Sequence, residues 1–310
     1  ALLNFDDAPA ILLGGRGAGL HPVALSLMNN ARLEVASQAV GIAQAAQMQA
    51  TRYAHERRQG RRTIDQFPAV RTMLFENAVQ IEAARAIVIE AAEILDLHHG
   101  LKLAGGDEAE IDRLAGLADL LTPLAKYYAA EMSNEVTSRS LQVHGGYGYM
   151  RDYPVERHLR DARITSIYEG TSQVQVGTMI GPLMQGGLAE LFKERLESAT
   201  EPEGCAGALD LLQGSYRRLE EALLGVRGAG KKAWQGWARL FADATADLFT
   251  ALVFLEDAAT HDRAAPLALY QARAAARSAR RAEEAVRDGD VLSFDNESFG
   301  QVVEEYSPES

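Results

Sequence analysis

The stretch "LMNNARLEVASQAVGIAQAAQMQATRYAHERR", Leu27 to Arg58, decides the fold. Apolar residues recur at Leu27, Met28, Ala31, Val35, Ala39, Ile42, Ala43 and Ala46, in mixed steps of three and four. That is the period of one face of an α-helix. The helix implied starts near Leu20 or Pro22 and ends at Arg58. "ERRQGRRTIDQFP" breaks it, because Gly60 can end a helix and Pro68 suits the first turn of the next.

Working outward, a second helix is expected from Pro68 to His98, and a third from Ile111 to His144 after the polar loop "GLKLAGGDEAE". "HGGYGYMRDYPVERHLRD" is too rich in Gly, Tyr and Pro for a straight helix, and a fourth helix begins near Thr171 and ends around Gln185 to Gly187. Long helices with short connections make a four-helix bundle. Past Leu188 the pattern restarts in Ala206–Leu224, Lys231–Asp257 and Ala264–Asp288, an additional helical domain. Leu2 to Leu13 has strand-like fragments ahead of the turn "GGRGAG", a short β remnant. The fold class expected is therefore all-α. Its divisions are a β remnant (1–19), the bundle (20–187), the extra helical domain (188–289) and an acidic tail (290–310). From Asp290 onward there are six acids and no Lys or Arg, so the tail is expected to be mobile or laid along a basic surface.

With 310 residues, 47% of them hydrophobic, the chain can bury a sizeable core. A formal charge of −12 argues against nucleic acid or an anionic membrane as the main partner. Cys205 is the single cysteine, which excludes an intrachain disulfide and makes a reducing cytoplasm the simplest compartment. No apolar run approaches the length of a membrane span.

Four features carry candidate chemistry. Arg57, Arg58, Arg61 and Arg62 are either a solvated helix end or a phosphate site, since Arg offers a fork of donors to phosphate oxygens. "QVHGGYGYM" follows a helix and not a strand, so it is no dinucleotide fingerprint. Its glycines either turn the chain or let backbone approach a ligand. His98 and His99 point about 100° apart on a helix and suit a helix C-terminus better than a metal. Glu169, in "SIYEGTSQVQ", is either an acid in the first turn of a helix or a base in a narrow apolar pocket, and Ser166 or Thr171 can serve as that helix's cap. Local sequence leaves those two readings even.

Three separated segments together carry a resemblance. "QVHGGYGYMRDYPVERHLRDARITSIYEGTSQVQ" resembles the C-terminal signature of flavin-dependent acyl-CoA dehydrogenases. "MNNARLEVASQAVGIAQAAQMQATRYAHERRQG" is similar to the family's preceding long helix, and "FDDAPAILLGGRGAG" to the last turn of its β-domain. The resemblance covers Leu2 to Met184 in the family's order. The later helices resemble the extra domain of a bacterial branch that includes 3-methylmercaptopropionyl-CoA and fatty acyl-CoA dehydrogenases.

The resemblance implies roles. Glu169 matches the base that removes the α-proton of an acyl-CoA thioester, with FAD accepting the β-hydrogen to leave a trans-2-enoyl-CoA. Arg57 matches an Arg that reaches the FAD of the neighbouring subunit, and Gln142, Gly145 and Gly146 match the same cofactor half. Thr171 and Gln173 match FAD contacts beside the base, and Gln59 belongs to the "RxQG" form of the motif. Arg32, Met28, Asn29, Tyr168 and Gly170 are expected beside the substrate. Some branches place the base at the position of Ala31, which cannot titrate, and nearby Glu34 is a false friend. The motif here is Arg57-Arg58-Gln59-Gly60, lacking the family's Phe, and a Gln that often contacts FAD aligns with Pro68. The family's N-terminal helical domain and most of its β-domain are missing, so the fragment alone is expected to be inactive. The expected partners are electron-transferring flavoprotein, further copies in a homodimer or larger assembly, and a separate chain supplying the β-domain. The alternatives are a non-catalytic assembly subunit and an acyl-CoA oxidase.

Overall fold

The computed structural model describes residues 3–12, 14–17, 26–261 and 265–288. Three long helices come first: α1 (Ser26–Glu56), α2 (Pro68–Ala104) and α3 (Glu108–His144). Shorter ones follow: α4 (Val155–Thr165), α5 (Ser172–Pro182) and α6 (Leu188–Ser198). The chain continues with α7 (Ala208–Arg227), α8 (Lys231–Ala258) and α9 (Ala265–Arg287). Among the described residues the one sheet is an antiparallel pair, β1 (Arg58–Gln59) with β2 (Arg62–Thr63), in register Arg58 to Thr63. It turns at Gly60, whose φ of +65° a side chain would resist.

The capping chemistry explains the boundaries. Pro68 opens α2, and Gly105 closes it in the left-handed region, with the Gly106 amide donating to the Leu101 carbonyl at 2.9 Å. The helix therefore passes through Gly100, and His98 and His99 lie within it, not at its end. Asp107 caps α3 by accepting from the Glu110 amide at 3.2 Å, so α3 starts earlier than the expected Ile111. α4 was not anticipated in the Gly/Tyr-rich connection. Pro154 pre-sets its first turn and accepts from the Arg157 amide at 3.0 Å.

Residues 3–12 form no strand. A single extended segment has no ladder to join here, and a lone strand is not stable in water. The strands among the described residues are those of the hairpin at Arg58–Thr63, and Leu2 and Leu13, the ends of the expected β remnant, lie outside the described residues. The expected helix start at Leu20 or Pro22 and the acidic tail from Asp290 lie outside the described residues.

α3 packs against α1, α2, α4, α5 and α8. Its contact with α1 runs along a seam of fully buried small residues: Ala36, Ala39, Ala43, Ala46, Ala50 and Ala54. Small side chains at helical spacing let two backbones approach closely. Leu27, expected on that face, is exposed instead. One apolar core continues from Ala36 and Val79 through Leu124, Met179 and Phe192 to Phe241, Phe249 and Ala272. The second helical unit therefore packs on the bundle with no break in the core. A smaller cluster of Ala50, Tyr53, Ala54, Ile64 and Val143 lies under the hairpin.

Arg195 of α6 joins the two units. It donates to Glu256 of α8 at 3.0 and 2.6 Å and to Glu90 of α2 at 2.9 Å. Replacing it by Ala leaves two half-buried carboxylates unpaired. Arg195→Ala is expected to lower unfolding free energy by about 2 kcal/mol, measured by urea denaturation.

Candidate active site

The loop between α4 and α5 holds Glu169. α4 ends at Thr165, and the Ser172 amide returns to the Ser166 carbonyl at 3.1 Å, closing the loop on itself. Thr171 is the cap of α5, its hydroxyl accepting from the Val174 amide at 3.4 Å. Glu169 thus precedes the cap, and the first turn of α5 contains no acid. The helix-dipole reading fails on that geometry. Glu169 instead has φ +51° and Gly170 φ +91°, two consecutive left-handed residues. A non-glycine residue there is strained and persists only where its surroundings over-determine it.

The surroundings do so from three elements. Buried Gln175 donates from Nε2 to the Glu169 carbonyl at 3.0 Å and to the Gly170 carbonyl at 3.1 Å. Lys126 of α3, fully buried, donates from Nζ to the Gly170 carbonyl at 2.8 Å. Tyr168 donates to Gln38 Oε1 of α1 at 2.6 Å. Arg32, buried on α1, donates to Asn29 Oδ1 at 3.1 Å, and its Nε is buried without a partner. Burial pulls the Arg32 pKa down, against the opposing charges of Glu169 and Asp119. Burial, with Arg32 nearby, pulls Lys126 down to about 8, against Glu131 and Glu169. Two buried cations and one half-buried carboxylate therefore share this end of the bundle.

Met28 and Asn29 are half-buried at the same end of α1. Glu34 is exposed. Two residues from buried Arg32, it lies on a different helix face. Gln173 is exposed on the first turn of α5 and lines a separate cavity with Tyr127 and Arg239.

A second constellation forms at the far end of α1. A cavity of about 390 Å³ is lined by Arg57, Gln59, His144, Gly145, Gly146 and Tyr147, among others. Arg57 lies over the Tyr147 ring, 5.2 Å from its centroid. A side chain built on Gly145 or Gly146 would meet nothing within 4 Å, so their backbone is open to a ligand. Gln142 is exposed on the last turn of α3 and accepts the Gly145 amide with its carbonyl. Two other arginines of the cluster are committed: Arg58 donates to the Arg61 carbonyl at 2.8 Å, and Arg62 lies over Phe67. From Gln38 to Glu56, α1 rises roughly 27 Å. One chain therefore holds the two constellations well apart.

Sequence reasoning missed Lys126 and Gln175, which hold the Glu169 loop, and His144, which lines the Arg57 cavity. His144 is buried, stacked on Tyr53 with ring centroids 4.5 Å apart, and its Nδ1–H donates to the Ser140 carbonyl at 2.8 Å. Its place beside the glycine pair was the one signal available. His98 and His99 are tilted against each other on α2, and the charge of Asp119 acts on both His98 and Arg32. Among the described residues no group of His, Cys, Asp or Glu is arranged to hold a metal, and no helix is long and apolar enough to cross a membrane.

A sequence-family profile described as "Acyl-CoA dehydrogenase, C-terminal domain" matches residues 17–181. The caffeyl-CoA reductase-Etf complex subunit CarC of Acetobacterium woodii is 40% identical over 162 residues, 52% of this chain and 38% of its own. The short-chain-specific acyl-CoA dehydrogenase of Clostridium acetobutylicum is 39% identical over 174 residues, 56% of this chain and 41% of its own. The chain thus spans less than half the length of these curated relatives. Caenorhabditis elegans ACDH-11, solved with C11-CoA, aligns with 92% of this chain and 49% of its own at TM-score 0.72 and 22% identity. An acyl-CoA dehydrogenase of Bacillus anthracis, solved with FAD, aligns with 91% of this chain and 52% of its own at TM-score 0.71 and 19% identity. Those two share the fold, including the later helices.

Two outcomes test the local geometry. A Cβ on Gly170 would sit 2.6 Å from Gln175 Nε2, at a φ that L residues resist. Gly170→Ala is expected to cost about 1–3 kcal/mol by urea denaturation. Burial lowers the His144 pKa, so the unfolded chain binds a proton more readily than the folded one. His144's contribution to stability is complete above about pH 6.5 and is lost as pH falls below it. Melting curves across that window should show the decline in the wild type and a flatter profile for His144→Gln.

Proposed function

The chain belongs to the acyl-CoA dehydrogenase family, and on that premise we propose that Glu169 is the base of a FAD-dependent enzyme acting on acyl-CoA thioesters. The reaction proposed is removal of hydrogen across Cα–Cβ to give a trans-2-enoyl-CoA. The observation that carries it is the strained Glu169, held at φ +51° by the Gln175 and Lys126 hydrogen bonds to its own and the next carbonyl. Strain of this kind needs a compensating use, and an assembly subunit without chemistry has none.

In this reading the Glu169 carboxylate takes the α-proton and ends protonated. Among the described residues the Glu169 amide finds no backbone acceptor, which leaves it free to donate to the thioester oxygen. Such a donor lowers the barrier by about 3 kcal/mol as the enolate forms. Arg32, Met28, Asn29, Tyr168 and Gly170 would line the acyl-CoA side.

The far constellation fits FAD. An exposed Arg57 fork and two glycines with open backbone suit a pyrophosphate. Arg57, Gln59, Gln142, Gly145 and Gly146 would hold that half, and Thr171 and Gln173 the flavin half beside the base. When bound, FAD supplies the hydride acceptor for the β-hydrogen. The spacing along α1 supports drawing the two halves from two copies, and hence a homodimer or larger assembly. Electron-transferring flavoprotein is the proposed electron partner, on the strength of the Acetobacterium relative's named complex. That relative is a reductase; a protonated Glu169 would return the proton to Cα in that direction.

The test is the flavin spectrum of the full-length protein with a panel of acyl-CoAs. Glu169→Gln should keep the flavin colour while slowing bleaching by about 10²–10⁴-fold. Bleaching at the wild-type rate would reject the assignment.

A further inference from the structure

Lys126 has no part in the chemistry above, yet it is fully buried in the middle of α3. Burial disfavours an ammonium, so a lysine here is a load on the fold. The side chain makes one hydrogen bond, from Nζ to the Gly170 carbonyl at 2.8 Å. Gln175 Nε2 donates to that carbonyl and to the Glu169 carbonyl. The three bonds close over the two left-handed residues from opposite elements, α3 and α5.

We infer that Lys126 is a positioning residue for the base: its ammonium clamps the Gly170 carbonyl and so sets where the Glu169 carboxylate sits. This inference rests on the reading of Glu169 as the base. The charged groups facing Lys126 are Arg32 from α1, Glu131 on its own helix and Glu169 on the loop. Arg32 acts with burial to remove the proton, while the two carboxylates hold it.

The clamp and the stability respond oppositely to pH. Lys126 titrates near 8 in the folded chain against 10.5 for an ordinary lysine. The unfolded chain therefore binds the proton more tightly, and stability rises as pH goes from 8 to 10.5. The clamp weakens over the same rise, because a neutral amine is a poorer donor than an ammonium. A residue kept only for packing would not separate the two.

The experiment compares wild type with Lys126→Met, Lys126→Gln and Glu169→Gln. In the 310-residue chain, thermal melting and amide hydrogen-exchange protection of residues 166–172 are measured as a function of pH. In the flavin-loaded full-length protein, α-proton exchange from butyryl-CoA is measured. Lys126→Met should melt no lower than wild type at pH 7, lose protection in the loop at least tenfold, and remove the α-proton at least tenfold more slowly at unchanged KM. Lys126→Gln, which donates without charge, should recover part of both losses. Wild-type protection should fall through about pH 8, and that of Lys126→Met should not. The inference is overturned if Lys126→Met melts lower while loop protection and α-proton exchange stay at wild-type levels. It is also overturned if the loop loosens without slowing proton removal. Should Lys126→Met fail to fold, wild-type protection that is flat across pH 8 rejects the clamp. Glu169→Gln tests the base alone: retained α-proton exchange there removes the premise, whatever the loop does.

Discussion

The middle of α3 is walled in on every side, and that constraint organises the rest. From Leu120 to Tyr127 no residue is exposed. A polar side chain in such a stretch must find its partner inside the protein. Lys126 finds the Gly170 carbonyl in the loop before α5. Tyr127 donates to Asp243 of α8 at 2.5 Å. Further along, His144 turns back to the Ser140 carbonyl. The first two partners lie on other elements, so α3 ties the Glu169 loop to the second helical unit, while the His144 bond stays within α3 and holds its last turn.

The second unit also reaches the site through charge. Arg239 of α8 lies over the Tyr127 ring, 5.3 Å from its centroid, and donates to Glu131 at 3.0 Å. Glu131 in turn accepts from the Ser172 hydroxyl at 2.6 Å, at the first turn of α5. α5 is thus braced from both sides. The alanine seam sets the other dimension, because it lets α1 lie close along α3 and puts one constellation at each end of a long rod.

Residues with unusual chemistry in an unusual place were legible. Glu169 stood out as a lone acid between an aromatic ring and a glycine, and Arg57 and the glycine pair stood out as a cation and a flexible turn at helix ends. Lys126 did not, because "PLAKYYAAE" reads as a helix with a lysine on its wet face, where lysines normally sit. Gln175 was hidden for the same reason among ordinary helical residues. The His98–His99 pair was misplaced because Gly100 resembles a stop, while the Gly105–Gly106 pair makes the terminating bonds.

Sequence by itself determined the long helices, since periodicity, caps and proline positions are local properties that act over one or two turns, while the short α4 and α6 escaped it. It also determined which residues have the chemistry to act, because a carboxylate or guanidinium is intrinsic to its residue. Only the tertiary structure decided that Glu169 precedes the cap of α5 and carries a left-handed backbone. Only it brought Lys126, distant in sequence, onto the next carbonyl. Burial and long-range hydrogen bonding arise when helices pack, and no local pattern records which face of α3 every neighbour will cover.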